Sequence, residues 1–183
     1  MVIIIGNDYL FLLINRGLEN VVLDFICVYL SIPLFSLSLL FSLIILYRSH
    51  TINSLLTMII SILSGPLSYG IGSLLKIIFM VPRPYEVLPA RIIGLMHTSS
   101  FSFPSTTTML IFGFAFPILF EKQKLGHMVI FFAFLIGFSV IYTGYHFPAD
   151  VVAGAFFSLI IALCIDNIKP RILRFLHNKF NIK

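Results

Sequence analysis

Apolar residues in this chain come in long runs, near Val21–Leu46, Leu55–Phe79, Ser105–Phe120, Met128–Tyr145 and Val151–Ile168. In lipid such a run has no water to satisfy its backbone N–H and C=O groups, so it must close its own hydrogen bonds as a helix. The pattern predicts an all-α fold, a polytopic membrane helical bundle of about five transmembrane helices. The third and fourth runs fall short of the ~20 residues that a perpendicular span needs, so their ends extend into the loops or meet a thinned bilayer. Composition agrees: 59% of the 183 residues are hydrophobic and 10% are charged, with a mean hydropathy of +1.07. An ordinary soluble domain is far less apolar.

The first 20 residues, MVIIIGNDYLFLLINRGLEN, carry an apolar stripe broken by Asn7, Asp8, Asn15, Arg16 and Glu19. That mixture predicts an N-terminal helix lying in the membrane interface rather than a sixth span. No basic segment precedes its apolar residues, so it does not read as a cleaved signal peptide. Without an internal repeat, low-complexity tract or long linker, residues 1–183 read as one membrane-embedded domain. Cys27 and Cys164 both sit inside apolar runs, which argues against a metal cluster or a disulfide framework and for simple packing roles. The net charge of +5 does not imply nucleic acid, because the basic residues lie in short loops and a tail beside apolar helices.

Those same charges orient the bundle. With five spans, the loop bearing Arg48, the loop bearing Lys122 and Lys124, and the tail with Lys169, Arg171, Arg174, Lys179 and Lys183 share one side. By the positive-inside rule that side is cytoplasmic. The opposite, outward side keeps Arg16, Lys76, Arg83 and Arg91.

Three polar segments at the outward ends of apolar runs carry the chemistry: KIIFMVPRP at 76–84, FPST at 103–106 and HFPAD at 146–150. Lys76 and Arg83 are costly in lipid unless they face a partner or a water-filled site; snorkelling to the interface is the plainer explanation of either alone. Pro82 and Pro84 stiffen the backbone on both sides of Arg83. Ser105 follows Pro104 where a helix begins, so Ser105, Thr106 and Thr107 can either cap that helix or offer hydroxyl and amide groups to a phosphate. Asp150 lies one helical turn beyond His146, where a carboxylate can fix the imidazole tautomer and stabilise positive charge on the ring.

The ordered pattern resembles the type-2 phosphatidic-acid-phosphatase superfamily, whose motifs run K-x6-RP, PSGH and SR-x5-H-x3-D, and is most similar to its short polyprenyl-diphosphatase branch. Lys76, Arg83 and Pro84 match the first motif, Pro104 and Ser105 half of the second, and Ser139, His146 and Asp150 most of the third. The stretch GYHFPADVVAG at 144–154 is similar to the family as well, as are Asn15, Gly17, Asn20 and Asp24 in INRGLENVVLD. The resemblance implies a metal-independent lipid phosphatase built as a helical bundle, with no cofactor; the charge pattern puts its site at the outer face of the cytoplasmic membrane. In such a phosphatase the histidine of the third motif attacks phosphorus, and a phosphohistidine is then hydrolysed.

Two positions depart from the motifs. Thr107 stands where the family has the histidine that protonates the leaving group, and Val140 stands where it has an arginine. A threonine hydroxyl cannot act as a general acid near neutral pH, and Val140 removes a bidentate phosphate clamp. Arg91 and His97, in the same outer loop, are candidates to compensate, though both also fit solvated loop positions. Two readings stay open: a lipid-diphosphate phosphatase, or a catalytically impaired relative that binds or carries a lipid phosphate.

Overall fold

The computed structural model describes residues 5–94, 101–121 and 124–180. Among these, all regular structure is helical. Helix α1 (Ile5–Leu12) closes in a π-helical turn (Leu13–Gly17). Helix α2 (Val21–Phe25) runs through a second π-helical turn (Ile26–Leu30) into α3 (Ser31–Arg48). Then come α4 (Ile52–Phe79), the short α5 (Pro84–Val87), α6 (Thr106–Phe120), α7 (Lys124–Tyr142), α8 (Pro148–Asp166) and α9 (Lys169–Phe180). Four stretches are long and apolar enough to cross a membrane: Val21–Arg48, Ile52–Val87, Leu125–Tyr142 and Pro148–Leu176. Thr106–Phe120 is apolar but shorter.

Helix α6 is apolar all round and packs against α4, α7 and α8, so it forms the centre of the bundle. Its approach to α4 is set by small residues. A Cβ on Gly113 would lie 2.8 Å from the Ser64 carbonyl oxygen and 2.9 Å from the Gly65 Cα, so the two backbones are nearly in contact there. Where hydrocarbon surrounds both helices, close packing and interhelical hydrogen bonds replace hydrophobic driving force. Ser61 Oγ donates to the Phe114 carbonyl at 2.7 Å, and Ser158 Oγ on α8 to the Met109 carbonyl at 2.8 Å.

Several helix ends differ from those read off the apolar runs. The fourth run was expected to continue to Tyr145, but α7 stops at Tyr142, because the chain reverses through Gly144 at φ +93. Helix α8 starts at Pro148 rather than Val151, with proline in the first turn where its missing N–H costs nothing. Basic residues hid α9 in what looked like a tail. The N-terminal helix is present, but Phe11 and Asn15 are buried rather than facing the interface.

The alternating helix directions gather the end of α4 and the starts of α6 and α8 at one end of the bundle, together with the end of α7. At the other end Lys169 Nζ lies 2.7 Å from Glu121 Oε2 and 2.5 Å from Thr57 Oγ1, joining α9, the end of α6 and the start of α4.

Candidate active site

The turn between α7 and α8 is built by two local rules. Both Tyr145 N–H and His146 N–H donate to the Val140 carbonyl at 3.1 Å, which closes α7. Asp150, in the first turn of α8, accepts the Phe147 N–H at 2.8 Å and caps the new helix. The same carboxylate oxygen lies 3.3 Å from His146 Nδ1. It also accepts a hydrogen bond from Ser102 Oγ, whose distance to His146 Nδ1 is 3.5 Å. Helix capping and imidazole orientation therefore share one carboxylate.

Two cations reach this turn from α4 and the loop after it. Lys76 sits in the last turn of α4, which ends at the left-handed Met80. Its ammonium donates to the Phe101 and Ser102 carbonyls at 2.5 and 3.1 Å. Arg83 caps α5 from outside; its backbone N–H donates to Glu86 Oε2 at 2.9 Å, and its Nη1 donates to the Tyr145 carbonyl at 2.9 Å. Lys76, Arg83, His146 and Asp150 are only 4%, 3%, 3% and 2% exposed. Burial lowers the His146 pKa below its ordinary value; Asp150 opposes that shift, while Lys76 and Arg83 add to it. The ring is thus held neutral near pH 7.

The start of α6 closes the cluster. Ser105 is its N-cap, with Oγ accepting the Thr108 N–H at 3.3 Å, and the Ser105 N–H donates to the Asp150 carbonyl at 3.1 Å. Gly154 lets α8 come this near, since a Cβ there would stand 2.9 Å from the Ser105 carbonyl oxygen. Capping occupies Ser105, so the first-turn amides of Thr106 and Thr107 are the donors that the helix leaves over. Thr106 is buried and Thr107 half-buried at this edge. The arrangement offers a neutral imidazole oriented by a carboxylate, two cations and a helix N-terminus.

Arg91 does not join it. Its Nη1 and Nη2 donate to Asp24 at 3.0 and 2.6 Å, Glu19 lies 3.6 Å away, and the Asp24 bond pushes its pKa up still further. Arg91, expected as a candidate to compensate for a missing motif residue, has its guanidinium paired with Asp24. His97 lies outside the described residues. Val140 is buried among Phe112, Ala133 and Ile136, in the apolar core. Ser102 was missed, because one serine in a polar loop carries no periodicity or spacing that marks it. Among the described residues no group of three or more His, Cys, Asp or Glu side chains could hold a metal ion.

Comparison with known proteins gives a consistent picture. The model of the PAP2 superfamily matches residues 51–172. The bacitracin transport permease protein BcrC of Bacillus licheniformis is 28% identical over 140 residues, which cover 76% of this chain and 68% of that protein. The undecaprenyl-diphosphatase BcrC of Bacillus subtilis is 30% identical over 103 residues, covering 56% of this chain and 51% of that protein, so the match spans about half of that relative's length. Among solved structures, Aquifex aeolicus LpxE superposes with a TM-score of 0.67 at 29% identity, covering 88% of this chain and 95% of that one. A PAP2 type phosphatidylglycerolphosphate phosphatase from Bacillus subtilis shares the fold at a TM-score of 0.52 and 20% identity, covering 92% and 96%.

Proposed function

The chain belongs to the PAP2 superfamily, and from that premise we propose that it is a membrane lipid phosphatase acting on a polyprenyl diphosphate through a phosphohistidine intermediate. One observation carries the reading: a buried His146 with Nδ1 on the Asp150 carboxylate and two buried cations beside it. A carboxylate only accepts, so Nδ1 carries the hydrogen and Nε2 keeps its lone pair. Nε2 attacks the terminal phosphorus in line. The P–N bond forms as the bond to the bridging oxygen breaks, and the lipid monophosphate departs with the electron pair. Asp150 stabilises the imidazolium character that develops. Water then attacks the phosphohistidine, giving inorganic phosphate and the free imidazole. Lys76 has three N–H bonds and uses two on carbonyls, so one remains for a phosphoryl oxygen; Arg83 and the Thr106 and Thr107 amides surround the same charge.

Thr107 selects the substrate. A phosphate monoester must expel an alkoxide, which needs a proton from the missing histidine. A diphosphate expels a phosphate monoester, which is stable as an anion near neutral pH because its second ionisation falls at pKa ~6. Purified protein should therefore release phosphate faster from a polyprenyl diphosphate than from phosphatidic acid. Thr107→His should raise the second rate more than the first, by up to the ~10²–10⁴ that general acid catalysis contributes. Wild-type preference for the monoester, or equal gains on both, contradicts this assignment.

Val140, packed in the core where the family has an arginine, favours the competing reading of a relative that binds a lipid phosphate without turnover. Complete absence of phosphate release from every lipid in the same assay would favour it. The positive-inside charge pattern supports an outward-facing site in the cytoplasmic membrane.

A further inference from the structure

Residues 1–50 precede the stretch matched by the superfamily model, yet one face of α1 lies directly on the turn that carries His146. Asn7, Phe11 and Asn15 are spaced every fourth residue, which sets them on one side of a helix. Asn7 Oδ1 accepts the Ala149 N–H at 3.0 Å, in the first turn of α8. The Phe11 ring lies 5.5 Å from that of Phe147. Asn15 Nδ2 donates to the Tyr142 carbonyl at 2.7 Å and the Arg91 carbonyl at 2.8 Å, while its Oδ1 accepts the Arg91 N–H at 2.8 Å. The contacts thus fall on residues 142, 147 and 149 and bracket His146 on both sides. Phe11 and Asn15 are 0% exposed.

A second joint fixes the same segment to the end of α7. The Tyr142 hydroxyl donates to Asp24 Oδ1 at 2.6 Å and accepts from Arg91 Nη2 at 3.0 Å, and Arg91 grips Asp24. Between the joints runs Gly144, where a Cβ would stand 2.5 Å from the Arg91 carbonyl oxygen. An amide buried with three backbone bonds to other elements specifies geometry more than it anchors a helix to lipid.

We infer that the N-terminal segment is a positioning device for His146. Its Asn7–Phe11–Asn15 face and the Asp24–Arg91–Tyr142 joint hold the turn so that the imidazole meets phosphorus in line. The inference rests on the phosphatase reading. In-line attack tolerates little displacement, so loosening the turn lowers kcat and leaves binding to Lys76 and Arg83 intact.

The test uses full-length protein in detergent with a polyprenyl diphosphate as substrate, and measures kcat, KM and thermal midpoint for Asn7→Ala, Asn15→Ala, Asp24→Asn and Asp24→Glu. Asn7→Ala removes a single hydrogen bond at a half-buried position, so it serves if Asn15→Ala does not fold. Expected is a fall in kcat of about 10- to 100-fold in the alanine variants and Asp24→Asn, with KM within about twofold of wild type and recovery in Asp24→Glu. Wild-type kcat in the folded variants, or a loss that only tracks the fraction of protein unfolded, would overturn the inference. A wild-type protein that turns over no lipid phosphate overturns the phosphatase reading instead.

Discussion

His146 sits between opposing electrostatic neighbours. Burial and the charges of Lys76 and Arg83 depress its pKa, and the Asp150 carboxylate raises it, with burial the largest influence. On the proposed mechanism the neutral ring is the nucleophile, so activity is expected above the His146 pKa and should be lost as pH falls through it. The acid limb of kcat/KM is therefore expected below the ordinary histidine value of 6.5. Asp150→Asn removes the raising influence, so besides slowing turnover it should move that limb to still lower pH. A pH–rate profile for both proteins checks this, and an acid limb above 6.5 in the wild type would contradict it. The His146–Asp150 pair was legible in sequence because its geometry is local: a residue before the helix and one in its first turn must meet. Ser102 was not, since only the folding of a loop back onto α4, through the Lys76 bonds to residues 101 and 102, brings it to Asp150.

At the scale of elements, apolar runs were enough to find α4, α6, α7 and α8 and the long α2–α3 stretch, because lipid leaves a run of that length one option. Their ends were harder. Tyr145 extends an apolar run without extending a helix, because a positive-φ glycine precedes it, and Ser105 starts one run as a cap rather than a helical residue. The N-terminal helix was read by its stripe, in which Asn7 and Asn15 looked like interruptions of an interfacial face. They are its joints to the bundle. The Arg91 pairing is hidden from the sequence for the same reason: its partner Asp24 is 67 residues away, and no local pattern announces a pair at that separation.

For the whole molecule, helix direction collects Lys76, Arg83, Ser105, His146 and Asp150 at one end and the Lys169–Glu121 pair at the other. In the proposed orientation, drawn from the positive-inside rule, the second end is the cytoplasmic one. Single cysteines at Ile92 and Asn178, in a background without Cys27 and Cys164, report on this through a membrane-impermeant thiol reagent on intact cells. Both positions are exposed. Labelling is expected at Ile92 and not at Asn178, and the reverse would invert the orientation. The chemical claim, that His146 itself receives the phosphoryl group, is met most directly by rapid quenching of purified protein with a polyprenyl diphosphate radiolabelled at its terminal phosphorus. The expected result is acid-labile, base-stable label on the peptide containing His146, with neither label nor turnover in His146→Ala. Phosphate release that persists in His146→Ala would contradict it.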